Sequence, residues 1–179
     1  MAELGRLDPE YARFGADEHR YRLAPPLPAA ELHAFEARHG VELPASYRAF
    51  VLDVADGGAG PEHGLFPLVG ASACLGPPDD WAAEDVRDAD RRPGALATPF
   101  RVTEAWRPRA GERFDPDAVV AGTLAVAEMG CGGFVRLVVT GAQRGHVWFT
   151  DLSVWPSLTP GPEFATWYAG WLAGAPGSA

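Results

Sequence analysis

The chain has 179 residues, 47% of them hydrophobic and 22% charged, a composition that suits one soluble domain with a core of its own. Its formal net charge of −9 works against a phosphate backbone, where cationic side chains supply most of the affinity, so no nucleic-acid partner is expected. No stretch approaches the roughly 20 apolar residues of a membrane span, and Cys74 and Cys131 are too few for a disulfide framework or a cysteine-based metal site.

The first 24 residues carry acids early and lack the apolar run of a secretory leader, so the cytoplasm is the expected compartment. Residues 19–23 alternate, with Tyr21 and Leu23 on one side, as a short edge strand would. Pro25, Pro26 and Pro28 end it, and Pro28 ahead of Ala29-Ala30-Glu31 opens a helix over 29–39. Leu32 and Phe35 share one face of that helix, and Gly40 is its stop. Leu43 is held extended by Pro44, which then begins a second helix through Asp53. Here Tyr47, Phe50, Val51 and Val54 fall at i, i+3, i+4 and i+7. The run Asp56-Gly57-Gly58-Ala59-Gly60-Pro61 cannot continue a helix and supplies a turn. Residues 64–69 then read as an edge strand, since Pro67 bars a central place.

Residues 76–94 are the most polar stretch and read as a surface loop with one helical turn around 81–86. A further strand is expected within 97–106, and another loop over 107–117. Strands at 122–128, 134–140 and 146–150, joined by turns at 130–133 and 141–145, make an antiparallel meander. Finally Phe164, Trp167, Tyr168, Trp171 and Leu172 sit at i, i+3, i+4, i+7 and i+8, a helix laying aromatics on a sheet and stopped by Gly174. The expected fold is therefore α+β in a single domain over 1–179: N-terminal helices, a largely antiparallel β-sheet meander, and a C-terminal amphipathic helix packed on the sheet.

Several groups invite a chemical reading. His33, Glu36 and His39 could be metal ligands, but the two histidines are six residues apart, about 240° around a helix, and the three read instead as a solvated face. Cys131, His146 and Asp151 come in an order that suits a nucleophile, its base and an orienting acid. Nothing beside Cys131 lowers its pKa, and a small residue at a tight turn is the expected role. The glycines of 130–133 resemble a phosphate-cradling loop, yet a strand rather than a helix follows them. Of the six tryptophans, Trp148, Trp167 and Trp171 belong to core patterns, whereas Trp81 does not. Trp81 stands with Asp79, Asp80, Glu84 and Asp85, and an aromatic among exposed acids has the character of an interface anchor. Local packing of the loop is the competing reading.

One ordered set of residues resembles the SUKH superfamily over about residues 20–173. It comprises Phe35-Glu36, Gly40, Leu43-Pro44, Tyr47-Arg48, Phe50 and Gly57-Gly58. It continues with Gly130-Cys131-Gly132, the strand at 136–141, Gly145-His146-Val147-Trp148 with Asp151, and Phe164-Ala165-Thr166-Trp167-Tyr168 with Trp171-Leu172. Asp56-Gly57-Gly58 stands where an Asn-Gly-Gly turn is usual. The resemblance implies an α+β fold and a non-enzymatic binding role, with no catalytic residue and no cofactor to carry over. Bacterial members of that group are commonly immunity proteins that neutralise toxins, often nucleases; the group also includes a fungal regulator of cell-wall assembly. The expectation is thus an immunity protein that binds a cognate, basic toxin domain, to which the net acidity is complementary. Asp79, Asp80, Trp81, Glu84 and Asp85 are the expected contact. The alternative is a housekeeping regulatory or scaffold protein of the same fold without a toxin partner. A small hydrolase using Cys131 is a third reading, and it requires a thiol reactive at neutral pH.

Overall fold

The computed structural model describes residues 1–70, 81–152 and 155–174, with the backbone alone at 81–83. Its centre is the meander. Strands β1 (Thr123–Gly130), β2 (Gly133–Val138), β3 (His146–Asp151) and β4 (Ser157–Glu163) pair antiparallel in sequence order. Gly130 faces Gly133 across a two-residue turn, Cys131-Gly132, whose φ angles of +54° and +79° are the positive pair that a type I′ hairpin needs. The fourth strand was not expected, because Ser157–Glu163 carries two prolines and a glycine. It is tolerated at the sheet margin, where Pro160 and Pro162 need no N–H partner.

All of β2 is buried, on both faces, which fixes a three-layer arrangement. On one face Val135, Leu137 and Val147 meet helices α3 (Ala29–His39), α4 (Ala45–Asp53) and α7 (Phe164–Leu172). Tyr47 and Phe50 set their rings edge-on against Phe164 at 5.1 and 5.5 Å, and the Tyr168 hydroxyl donates to the Ala59 carbonyl at 2.9 Å. Each of these side chains contributes about 1.5–3 kcal/mol by burial. Helices at both expected N-terminal positions and at the C-terminus are therefore present, with α7 packed on the sheet. Val54 departs from the stripe assigned to it: α4 ends at Asp53 and Val54 is 45% exposed.

Two shorter helices, α1 (Ala2–Leu7) and α2 (Ala16–His19), precede these. The edge strand expected over 19–23 does not form, because α2 takes His19, and Arg20 and Tyr21 have φ of +47° and +54°. Only Leu23 pairs, with Gly58. The strand expected over 64–69 is likewise reduced to contacts at single residues. Leu65 bridges Gly58 and Ala127, and Phe66 N–H donates to the Val126 carbonyl at 2.8 Å before Pro67 interrupts the ladder.

The opposite face holds Phe66, Ala125 and Phe134 at one end and Phe100, Val120, Val138, Trp148 and Leu158 at the other. Covering them are α5 (Trp81–Asp90), α6 (Pro116–Val119) and the chain between them. Within 97–106 no strand forms; Phe100 bridges Gly141, and Trp106 exchanges two 2.9 Å hydrogen bonds with Leu158, covering the outer side of β4. Within the polar stretch, residues 76–80 lie outside the described ones, and the single helical turn expected around 81–86 is the ten-residue helix α5. Its inner side is fixed by charges rather than by an apolar stripe, which hides it from periodicity.

Gly58 has φ +96°, and a Cβ there would meet the Arg22 carbonyl oxygen at 2.5 Å, whereas Gly40 has φ +65° with nothing within 4 Å. Gly40→Ala is expected to lose about 1 kcal/mol, the penalty of the left-handed backbone. Gly58→Ala adds a backbone clash and is expected to lose about 3 kcal/mol or more. Urea denaturation of the two variants checks the difference.

Candidate protein-binding face

The residues of α5 sort by charge around its axis. Arg87 and Asp90 are buried and Arg91 half-buried, while Glu84, Asp85 and Asp88 are exposed. Glu84 and Asp85, four and three residues before Asp88, fall with it on one side of the helix. The fold thus brings Glu84 and Asp85 together as an outward acidic face and adds Asp88, which helical spacing would have found had the helix been expected. Trp81 begins α5, but its side chain is not described, and Asp79 and Asp80 lie outside the described residues.

What turns the acids outward is the attachment of the inner side. Arg136, on β2, donates to the Asp90 carboxylate and, through Nε, to the Thr123 hydroxyl at 2.7 Å; Asp90 also accepts from the Ala125 N–H at 2.8 Å. Arg87 donates to the Pro67 and Gly70 carbonyls at 3.0 and 2.8 Å, and its guanidinium lies 5.6 Å from the Phe66 ring centroid. Arg91 donates to the Leu68 carbonyl at 3.1 Å and to that of Arg87 at 2.7 Å. Burial pulls the pKa of both arginines down; at Arg87 the neighbouring Arg91 charge adds to the effect, whereas at Arg91 the Asp90 carboxylate opposes it. Between α5 and α3 these side chains bound a cleft of about 560 Å³, with Phe35, His39 and Leu68 beside Arg87 and with Glu31 and Arg38 also lining it.

The expected solvated face on α3 needs correction. His33 is exposed, but Glu36 and His39 are 8% and 7% exposed. The Glu36 carboxylate accepts from the Leu43 N–H at 2.8 Å and from Arg48 at 2.5 and 2.6 Å, clasping α3 to the start of α4. His39 packs on Phe35 at 4.4 Å between ring centroids. The stripe at 32, 35, 36 and 39 is a complete helical repeat in which two members are polar.

The other arrangements weighed in the sequence are not assembled. Asp151 pairs with Gly133, near Cys131, but His146 is at the far end of β3, five residues or about 16 Å away. The turn at Cys131 leads into β2, so no helix N-terminus faces its glycines. Trp148, Trp167 and Trp171 are core residues, as read.

The family model of the SMI1 / KNR4 family (SUKH-1) matches residues 26–169, and the chain belongs to that family. No curated protein and no solved structure matches the chain.

Burial, with Arg91 and then Arg38 nearby, lowers the pKa of His39 from its usual 6.5. The unfolded chain therefore binds this proton at higher pH than the folded one, so the associated stability is whole above pH 6.5 and drains as pH falls from there toward the folded pKa. Thermal melts between pH 7.5 and 5.5 should fall less steeply for His39→Gln than for the native chain.

Proposed function

Taking membership of the SUKH-1 family as premise, we propose that this protein is a non-enzymatic binding module of the cytoplasm, an immunity protein that neutralises the basic toxin domain of a bacterial polymorphic toxin system. It acts by covering the partner's active surface rather than by chemistry of its own. The observation that carries the reading is the acidic outer face of α5, Glu84, Asp85 and Asp88, on a chain of net charge −9. A positive, nucleic-acid-cleaving surface is the complementary partner. Acidic groups that face outward also raise the rate of encounter with such a surface, an effect that salt screens within about 10 Å at 0.1 M. Trp81, at the start of the same helix, supplies the aromatic contact, and Asp79 and Asp80 extend the acidic charge in sequence.

The binding partner to test is the product of the neighbouring gene. The double variant Glu84→Lys, Asp85→Lys should slow its association about tenfold or more at low ionic strength, with the difference shrinking in high salt. Because both positions are exposed, the melting temperature should not change. An unchanged association rate would remove α5 from the interface, and failure of the native chain to bind that product would favour the housekeeping scaffold reading.

A further inference from the structure

Helix α7 packs on the sheet face opposite α5, and together with β4 it borders a second, more apolar groove of about 670 Å³. Trp167 and Trp171 line it from α7, Phe149 from β3, Pro160 and Pro162 from β4, and Phe14 from the N-terminal segment. Phe14 is 58% exposed, a large apolar side chain left at the rim. Two charged residues join this lining, Glu62 and Arg13, and the Arg13 guanidinium is engaged by the ring and carbonyl of Trp171.

Three features set Glu62 apart. Its Oε1 is buried without a hydrogen-bond partner. Among the described residues no cationic group reaches ion-pair distance of it: the adjacent His63 pairs with Glu18 at 2.6 Å instead, and the Arg13 guanidinium lies over the Trp171 ring at 5.0 Å and donates to the Trp171 carbonyl. Its backbone has φ +57°, a conformation rare outside glycine. Gly15 lies so close that a Cβ there would stand 1.9 Å from the Glu62 carbonyl oxygen. The His63 N–H is also held by the Glu128 carbonyl at 3.2 Å. Burial raises the Glu62 pKa, with the neighbouring His63 opposing it.

We propose that this groove docks an extended segment of a partner protein, seating an apolar side chain among Phe14, Phe149 and Trp167 and a neighbouring lysine or arginine on Glu62. The apolar lining supplies the affinity, and the desolvated carboxylate selects the cation, since a charge-assisted hydrogen bond is strongest where water is excluded. Pro160 and Pro162 present no N–H, so the segment is held through side chains rather than by adding a strand. The proposal does not depend on the reading of α5.

The test titrates the full chain with three capped dipeptides, acetyl-Phe-Arg-amide, its neutral isostere acetyl-Phe-citrulline-amide, and acetyl-Phe-Glu-amide. The indole N–H resonances of Trp167 and Trp171 report binding. The arginine peptide should shift both indoles and bind about tenfold more tightly than the citrulline peptide, with the glutamate peptide weakest. Glu62→Gln should erase the preference for arginine over citrulline, Phe14→Ala should weaken both, and the Glu84→Lys, Asp85→Lys variant should retain native affinities. Equal binding of the arginine and citrulline peptides, a preference that survives Glu62→Gln, or indoles that do not move would each overturn the proposal.

Discussion

One of the two inner strands of the sheet, β2, carries an arginine, and much else follows from what satisfies it. Arg136 is 2% exposed and Asp90, its partner, 5%. Removing one member of such a pair leaves a buried charge uncompensated, at about 3–5 kcal/mol, although an apolar pair of the same volume would hold the layers together as well. The pair therefore contributes position more than net stability. Asp90 is the last residue of α5, and its carboxylate also takes the N–H of Ala125 on β1. Helix α5 can meet these demands at one rotation and one axial height only. Arg87 and Arg91 then bind backbone carbonyls of residues 67–70, so three charged side chains do the docking that an apolar stripe does elsewhere. Among the described side chains of the helix, the exposed ones are all acids.

Glu36 performs the corresponding task between the helices on the other face. By accepting from Leu43 N–H and Arg48, it fixes the extended step between α3 and α4 that Pro44 ends. Asp56 closes the following turn by accepting from the Leu68 N–H at 2.6 Å. Burial raises the Asp56 pKa while that hydrogen bond opposes it, so an acid in place of the usual asparagine is retained by a backbone N–H aimed at it. The residues that identify the family are thus its buried polar clasps and its glycine turn, and they serve the scaffold rather than the surface.

The parts legible in the sequence were those whose burial is apolar. Leu32 and Phe35, Tyr47 with Phe50 and Val51, and the aromatics of α7 all face the core and stand at helical spacing, and Gly40 ends its helix in the left-handed conformation expected of a stop. The three hairpin strands were legible for the same reason. Illegible were the elements whose partners are charges or distant backbone. The inner side of α5 reads Val86, Arg87, Asp90 and Arg91, which no hydrophobic pattern selects, and Glu36 and His39 passed for solvent-facing for the same reason. Strand β4 is specified by its neighbours, β3 and Trp106, because its own prolines speak against a strand. As to the binding face, composition revealed the acidity around Trp81, while only the helix shows that Asp88 joins Glu84 and Asp85. The groove around Glu62 had no local signal, since its walls come from segments far apart in the chain.

The two surfaces differ in how they use negative charge. On α5 it is solvated, so it acts at a distance and discriminates weakly among basic partners. At Glu62 it is half-buried, and the docking proposed there uses it on contact, by charge and fit. They lie on opposite sides of the sheet, separated by the sheet and the helices on it, about 10 Å for each layer. A globular partner of ordinary interface size, about 800 Å² on each side, that sits on α5 does not reach around to α7. Occupation of both surfaces therefore requires either two partners or one partner with a flexible arm. In the second case the arm, tethered by the first contact, binds at an effective concentration set by its own length, so even a weak apolar-and-basic motif would be held in the groove.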